Sequence, residues 1–136
     1  LKTQTGTVVG TTTTNATGNF SVFAVDGNYV LDATCTKAWG GLNIQDVIKT
    51  RQKISLLITF TALQNKAADV NLNNLVNIQD VIYMRQKISL LNPVQWTIPN
   101  YVFENPTVTL SGSNVVQNFK GLCAGDVNNS FTPAAK

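Results

Sequence analysis

The chain has 136 residues, which is room for one domain or two small ones, and 43% of them are apolar, so it can bury a core. The net charge of +3 comes from scattered Lys and Arg without a basic run interleaved with aromatics, which argues against nucleic-acid binding. Its longest apolar stretch, 54–63, is interrupted by hydroxyl residues and is far shorter than the ~20 residues of a membrane span.

Only 12% of the residues are charged, while Thr and Asn are abundant. This balance is typical of secreted β-rich proteins and predicts an extracellular or cell-surface location. The chain opens with Leu rather than Met, and we expect it to be part of a longer protein.

The titratable residues argue against catalysis. There is no His and one Glu, and four of the six Asp residues fall in calcium-like motifs, described below. The remaining acids and hydroxyls do not assemble into a nucleophile with a partner base. The sequence therefore predicts a protein that is not an enzyme.

Residues 1–34 alternate in polarity as strands do, and turn signals separate the runs. We predict a β-meander with strands at 7–9, 20–25 and 29–34. The run from Thr11 to Val22, followed by 26–34, resembles the small β-sandwich modules related to carboxypeptidase regulatory domains. That resemblance implies a partial sandwich whose open edge can accept a strand from a neighbouring copy.

An internal duplication follows. Residues 43–57 and 77–91 are identical at thirteen of fifteen positions and differ only at 49/83 and 50/84. Each copy opens with an Asn that can cap a helix and has an Asp three residues later. We predict two amphipathic helices that pack against each other, with a short helical turn between them near 58–66. Their predicted buried stripes are Val47, Ile48, Ile54 and Leu57, and Val81, Ile82, Ile88 and Leu91.

The second copy completes a twelve-residue loop that runs into its helix, with oxygen ligands at alternate positions. Such a loop can wrap six or more oxygens around Ca²⁺, and two carboxylates predict weak binding, roughly 10⁻⁴ to 10⁻³ M. The alternative is a helix cap behind an Asn-rich turn. The predicted ligands are Asp69, Asn71, Asn73, the Leu75 carbonyl, Asn77 (directly or through water) and Asp80.

On these residues, the segment 35–91 resembles a pair of dockerin type I repeats. The resemblance implies two calcium-loaded loop–helix units that dock onto a cohesin partner through the helix surface. At the two loop positions where that family commonly has small hydroxylated residues, this chain has Ile44-Gln45 and Ile78-Gln79.

The first copy lacks the front half of its loop, because Cys35, Lys37 and Trp39 occupy the positions of the first three ligands. Near the C-terminus, 125–130 has the missing pattern without a helix after it. We therefore predict a split calcium site, in which the C-terminal segment 125–130 (the tail) supplies the front half of the loop and the first helix supplies the rest. Gly40 and Gly41 would give the tail room to approach. The alternative is a turn without function. The predicted ligands are Asp126, Asn128 and Ser130 from the tail, and Asn43 and Asp46 from the first helix.

The two cysteines, Cys35 and Cys123, lie beside the two halves of this split site in the sequence. In a secreted chain we predict a disulfide between them, which would stabilise the fold by about 4 to 5 kcal/mol in the chain-entropy model. The alternatives are two free buried thiols or a chelating pair. Trp39 and Trp96 are expected in or near the core, with a sugar-stacking pair as the alternative.

From Pro93 onward the pattern returns to strands, at 95–98, 101–103, 107–110 and 115–119. The predicted fold class is therefore α+β, with β-sandwich-like strands flanking a dockerin-like calcium loop–helix pair. The predicted regions are 1–34, 35–92 and 93–136.

Together these patterns predict a non-catalytic, calcium-stabilised structural or adhesive module. The combination resembles linking modules in large secreted or surface proteins of Bacteroidota-type bacteria. Expected partners are other modules of the parent chain or neighbouring copies, possibly as a fibre. The alternative is a docking module for a cohesin-like protein, bound through an exposed helix surface that includes Arg51, Lys53, Arg85 and Lys87.

Overall fold

A computed structural model describes residues 1–91 and 95–132. Their fold is α+β, with three helices and two small antiparallel sheets in this described part of the chain. None of these helices is long and apolar enough to cross a membrane. In chain order the elements are β1 (Lys2–Thr3), β2 (Gly27–Val30), α1 (Ile44–Ile54), α2 (Ala62–Ala68), α3 (Ile78–Ile88), β3 (Tyr101–Phe103), β4 (Thr107–Leu110) and β5 (Gly121–Cys123).

These residues form two compact units. Unit 1 comprises residues 1–34 and 105–119, and unit 2 comprises 35–91, 95–104 and 120–132. The region 93–136, taken as one in the sequence analysis, thus contributes to both units.

Unit 1 is built on a three-stranded antiparallel sheet of order β1–β2–β4. Val30 lies opposite Lys2 on one side and Thr107 on the other. Tyr29, Leu31 and Val108 are its buried apolar residues, and the Tyr29 hydroxyl donates to the Val25 carbonyl at 2.8 Å.

Several strands predicted in unit 1 are absent from it. Residues 20–25 and 115–119 are outside the strands, and Val8 makes only an isolated bridge with Lys2. A tight turn at residues 3–7, with Gly6 at φ +90°, shifts the first strand to β1. Phe23, Val25 and Val116 are strongly exposed. Alternation of polar and apolar residues indicates which face of a segment is apolar. A strand forms only where a neighbouring backbone supplies the hydrogen bonds of a β-ladder.

Unit 2 is built around the duplicated helices, α1 and α3, which pack against each other. Val47, Val81 and Met84 lie in one buried cluster with Val70, Ile98 and Ala124. The predicted stripes were partly wrong, because Ile48, Leu57, Ile82, Ile88 and Leu91 are exposed. The buried face follows Val47 and Thr50 in α1 and Val81 and Met84 in α3, a three-residue spacing that turns the neighbouring isoleucines outward.

Both helices end three residues earlier than predicted. Leu56 and Leu90 have φ +59°, and the amides of Leu57 and Leu91 donate back to the carbonyls of Gln52 and Gln86. This is the Schellman end of a helix, which usually carries glycine at the left-handed position. Because leucine stands there instead, the usual sequence signal for the end is missing.

A second buried cluster joins α2 to the tail. Leu63, Ala67 and Ala68 of α2 pack with Val76, Leu122 and Val127. The strand predicted at 101–103 is confirmed as β3, and it pairs with β5, which was not predicted. Residues 95–98 do not form the predicted strand.

Candidate metal centre

The uninterrupted loop starts where α2 ends. Asp69 is the C-cap of α2, and its carboxylate accepts from the amides of Asn73 at 3.1 Å and Asn74 at 2.8 Å. The backbone is left-handed at Leu72 and Asn74 (φ 58° and 65°), which curls the loop around the Asp69 carboxylate. Asn71 and Asn73 each accept a hydrogen bond from the amide two residues later, at 3.1 and 2.9 Å.

Asp80 closes this loop from the first turn of α3. It is fully buried, and its carboxylate accepts from the amides of Val70 at 3.0 Å and Asn77 at 2.9 Å. Burial raises the pKa of Asp80, the nearby charge of Asp69 raises it further, and the backbone hydrogen bonds oppose this change. Four of the predicted ligands, Asp69, Asn71, Asn73 and Asp80, thus accept hydrogen bonds from the backbone of a single loop–helix unit, while Asn77 Oδ1 caps α3 by accepting from the Gln79 amide.

The tail and α1 build a second loop of the same kind. The Asp126 carboxylate accepts from the amides of Ser130 and Phe131, both at 3.0 Å, as Asp69 does from Asn73 and Asn74. Asp46, fully buried, accepts from the amides of Asn128 at 3.0 Å and Asn43 at 2.9 Å. The structure therefore brings together the two halves of the predicted split site, although 82 residues separate Asp46 from Asn128.

Gly41 was predicted only to give room for the tail, and its carbonyl was missed as a candidate ligand. It precedes the helix-capping Asn43 by two residues, as Leu75 precedes Asn77, so its carbonyl corresponds to the predicted Leu75 ligand. That carbonyl accepts from Asn43 Nδ2 at 2.8 Å and from Ser130 Oγ at 3.3 Å. A Cβ at Gly41 would lie 2.5 Å from an Asp126 carboxylate oxygen. The 34-residue offset between the two copies places Gly41 at the position of Leu75, so the sequence could have identified this residue.

One atom of the split loop lacks a hydrogen-bond partner. Asn128 Oδ1 is buried, and no described residue donates to it. Its counterpart Asn71 Oδ1 accepts from the Asn73 amide. A buried acceptor that is left unpaired costs roughly 1–3 kcal/mol. A buried oxygen without a donor, in a loop that also holds the Asp46 and Asp126 carboxylates, is suited to a cation.

The acids of the two loops accept hydrogen bonds from backbone amides and have no basic side chain paired with them among the described residues. In each, two carboxylates lie close together, and burial, with the charge of Asp126, raises the pKa of Asp46. In the described part of the chain, no Lys or Arg lies within ion-pairing distance of these four carboxylates. A cluster of three or more His, Cys, Asp or Glu side chains that could hold a metal is likewise not found there. Two carboxylates with amide, hydroxyl and carbonyl oxygens are a hard ligand set, which suits Ca²⁺ better than a soft metal.

Cys35 and Cys123 are free thiols in this structure, so the predicted disulfide is not formed in it. Cys123 is buried in β5 and Cys35 is partly buried. Burial, together with the Cys123 and Cys35 thiols, raises the pKa of Tyr101.

The two tryptophans pack against the core of unit 2. Their rings lie edge to face, 5.9 Å apart, and Lys87 Nζ lies 5.6 and 5.4 Å from the rings of Trp39 and Trp96. Trp39 Nε1 donates to the Ala124 carbonyl at 2.9 Å. These contacts give the pair a packing role beside the tail.

Comparison with protein-family models, curated proteins and solved structures gave no match to this chain. The likeness to dockerin repeats thus rests on the residues quoted above.

Proposed function

We propose that this chain is a non-catalytic, calcium-binding structural module of a larger extracellular protein. Unit 2 would bind two calcium ions, one in the uninterrupted loop and one in the split loop. The observation that carries the proposal is the buried, unpaired Asn128 Oδ1 in a loop whose hydrogen bonds repeat those of the Asp69 loop.

Both loops supply the oxygens that calcium requires. Their acids are buried beside each other without a basic partner among the described residues, an arrangement that a divalent cation would stabilise. The ligands would be Asp69, Asn71, Asn73, the Leu75 carbonyl, Asn77 and Asp80 in one site, and Asp126, Asn128, Ser130, the Gly41 carbonyl, Asn43 and Asp46 in the other.

Calcium in the split loop would fasten the tail to the start of α1. Ligands that bind only the folded state add stability by mass action, about 0.4–1.4 kcal/mol per site at calcium concentrations of one to ten times Kd, which millimolar calcium gives at Kd values of roughly 10⁻⁴ to 10⁻³ M. Weak sites fit an extracellular setting, where modules of this kind bind calcium at roughly 10⁻⁴ to 10⁻³ M. The low charge and the Thr-rich, Asn-rich composition support the same location.

Thermal unfolding with millimolar calcium, with magnesium and after metal removal tests this function. We expect calcium to raise the unfolding temperature of unit 2 and to slow proteolysis of the tail. Magnesium should do so less, because it prefers a smaller octahedral site. Identical unfolding curves in all three conditions would overturn the proposal.

The alternative function is docking onto a cohesin-like partner. It is favoured by an exposed apolar face repeated on the duplicated helices, with Ile44 and Ile48 on α1 and Ile78 and Ile82 on α3, all 43–57% exposed. Titration against a panel of purified cohesin modules tests it. Binding that is lost in Ile48→Ser/Ile82→Ser would establish docking, whereas no binding to any module would count against it.

A further inference from the structure

Three side chains meet beside the split loop. Tyr101 lies directly opposite Cys123 in the β3–β5 pair. Its hydroxyl donates to the carbonyl of Ala38 at 2.7 Å, three residues from Cys35. Burial and both thiols raise the pKa of the Tyr101 hydroxyl, which agrees with this geometry. Tyr101 thus pairs with Cys123 along the strands and contacts, through its hydroxyl, the segment that begins at Cys35, 88 residues away in the sequence.

The two halves of the split loop are held in different ways. The tail half is anchored, because Gly125 N donates to the Ala67 carbonyl at 2.8 Å and Gln64 Nε2 to the Val127 carbonyl at 2.9 Å. Val127 is also fully buried. The Gly41 carbonyl belongs to residues 35–43, which form neither helix nor strand and are held through Trp39, whose Nε1 donates to the Ala124 carbonyl, and through the Ala38 carbonyl, which accepts from the Tyr101 hydroxyl. An irregular segment held at a few points keeps conformational freedom that a covalent cross-link can remove.

The cysteines lie at the start of these two halves. Cys123 is three residues before Asp126, whose amide donates to the Cys123 carbonyl at 3.1 Å, and Cys35 is six residues before Gly41. A covalent bond between them would fix the irregular segment to the anchored tail.

We propose that Cys35 and Cys123 are a disulfide-forming pair, and that this bond tightens calcium binding at the split site without changing the uninterrupted site. The effect on calcium rests on the proposed function, whereas formation of the bond does not. The mechanism is pre-organisation: apparent affinity rises with the fraction of molecules in which the Gly41 carbonyl is already in place.

The bond forms by thiol–disulfide exchange with a small-molecule disulfide. The thiolate of one cysteine attacks the small disulfide, forms a mixed disulfide and releases one small thiolate. The second cysteine thiolate then attacks the protein sulfur of the mixed disulfide and releases the other. The two protein thiols lose two electrons and two protons in total, and the small disulfide is reduced to two thiols.

Calorimetric calcium titration of oxidised and reduced protein tests the proposal, after thiol counting and mass spectrometry of peptides establish the bond. We expect the split-site Kd, identified as the one that is lost in Asp126→Ala, to fall about threefold to tenfold on oxidation, with the other Kd unchanged. Cys35→Ser and Cys123→Ala, two separate variants, should each abolish the redox response. Asp126→Ala, which retains both cysteines, should bind one calcium with the same affinity in both redox states.

Each contrary result is separately recognisable. Two free thiols after incubation with the small disulfide would overturn the pairing itself. A bond that forms while both calcium affinities stay constant would overturn the coupling. A bond that forms in a protein that binds no calcium in either state would overturn the proposed function, and with it the coupling.

Discussion

Two asparagines at the same loop position have different surroundings. Asn71 Oδ1 accepts from the Asn73 amide, whereas Asn128 Oδ1 is buried without a partner in the described part of the chain. The side chain of Asn128 therefore costs stability without a cation, and under the proposed function it would contribute to stability with one. Asn71 contributes in both states.

This contrast predicts opposite signs for Asn128→Ala. Without metal, the variant should be as stable as the wild type or slightly more stable, because the unpaired acceptor is gone. With saturating calcium it should be less stable by about 1 kcal/mol or more, because a ligand is lost. Chemical denaturation in both conditions measures this, with Asn71→Ala as the matched control that destabilises in both. Equal destabilisation by Asn128→Ala with and without calcium would contradict the assignment.

Gly41 combines a left-handed backbone with a close approach. At φ +91°, an added Cβ would lie 2.5 Å from the Asp126 carboxylate and 2.6 Å from Phe131 Cβ. Gly6 has nearly the same φ, +90°, but nothing within 4 Å of the same position. Comparing substitutions at the two glycines therefore separates the effect of backbone strain from the effect of a steric clash.

We expect Gly41→Ala to weaken calcium binding at the split site by at least about tenfold, which is about 1.4 kcal/mol. Gly6→Ala should introduce backbone strain without a steric clash, and it should leave both calcium affinities unchanged. Calcium titration of both variants checks this expectation. Wild-type affinity in Gly41→Ala would show that the tail does not approach this backbone.

The buried acids give stability a pH dependence that calcium should reverse. In the folded state the pKa values of Asp46 and Asp80 are raised above 3.8, chiefly by burial. Their contribution to stability is therefore complete below pH 3.8 and is lost as the pH rises through the folded pKa values. Calcium requires the deprotonated acids, so its stabilisation should grow over the same range.

Thermal unfolding of the calcium-responsive transition between about pH 4 and 7 measures this effect. Metal-free protein should lose stability as the pH rises, whereas calcium-saturated protein should not. Asp46→Asn/Asp80→Asn should reduce the slope of the metal-free protein. A metal-free slope of the opposite sign would show that the hydrogen bonds to these carboxylates outweigh their burial.

At the scale of the elements, the backbone is strained just after the C-terminal ends of α1 and α3, and a substitution could remove this strain. Leu56 and Leu90 adopt φ +59° and are 90% and 94% exposed, so the leucine side chains gain little from packing. A left-handed non-glycine residue costs roughly 1–2 kcal/mol, part of which is offset because glycine loses more entropy on folding.

Leu56→Gly and Leu90→Gly should therefore each stabilise unit 2 by about 0.5–1 kcal/mol. Leu90→Ala is the control, because it removes the exposed side chain but retains the Cβ that causes the strain. Denaturant unfolding compares the three variants. Leu90→Gly no more stable than Leu90→Ala would refute the strain argument.

The helix starts could be predicted, but the helix ends could not. Asn43 and Asn77 with their acids three residues later form capping boxes as their spacing indicates. The ends escaped because leucine occupies positions where glycine is the usual signal. The strands of unit 1 were predicted poorly for another reason. Residues 20–25 alternate in polarity as a strand does, but they have no neighbouring backbone to pair with.

At the scale of the whole molecule, the arrangement of the candidate site was largely present in the sequence. The spacing of Asp69, Asn71 and Asn73 indicated one complete loop, and the helix without a loop indicated where 125–130 should lie. What spacing could not supply was the environment: the burial of Asp46 and the unpaired Asn128 Oδ1 arise only from packing.

Unit 1 raises the question of assembly. Its exposed Phe23, Val25 and Val116 are compatible with the predicted self-association. That association and the neighbouring modules of a parent chain stay predictions, as does the cohesin-like partner.

The central claim is that residues far apart in the sequence form one calcium site. Its most direct test is the calcium stoichiometry of the wild type, Asp126→Ala and Asp69→Ala by calorimetry. We predict two ions for the wild type and one for each variant, with the retained site different in the two. Two ions in Asp126→Ala, or no calcium binding by the wild type, would contradict the account.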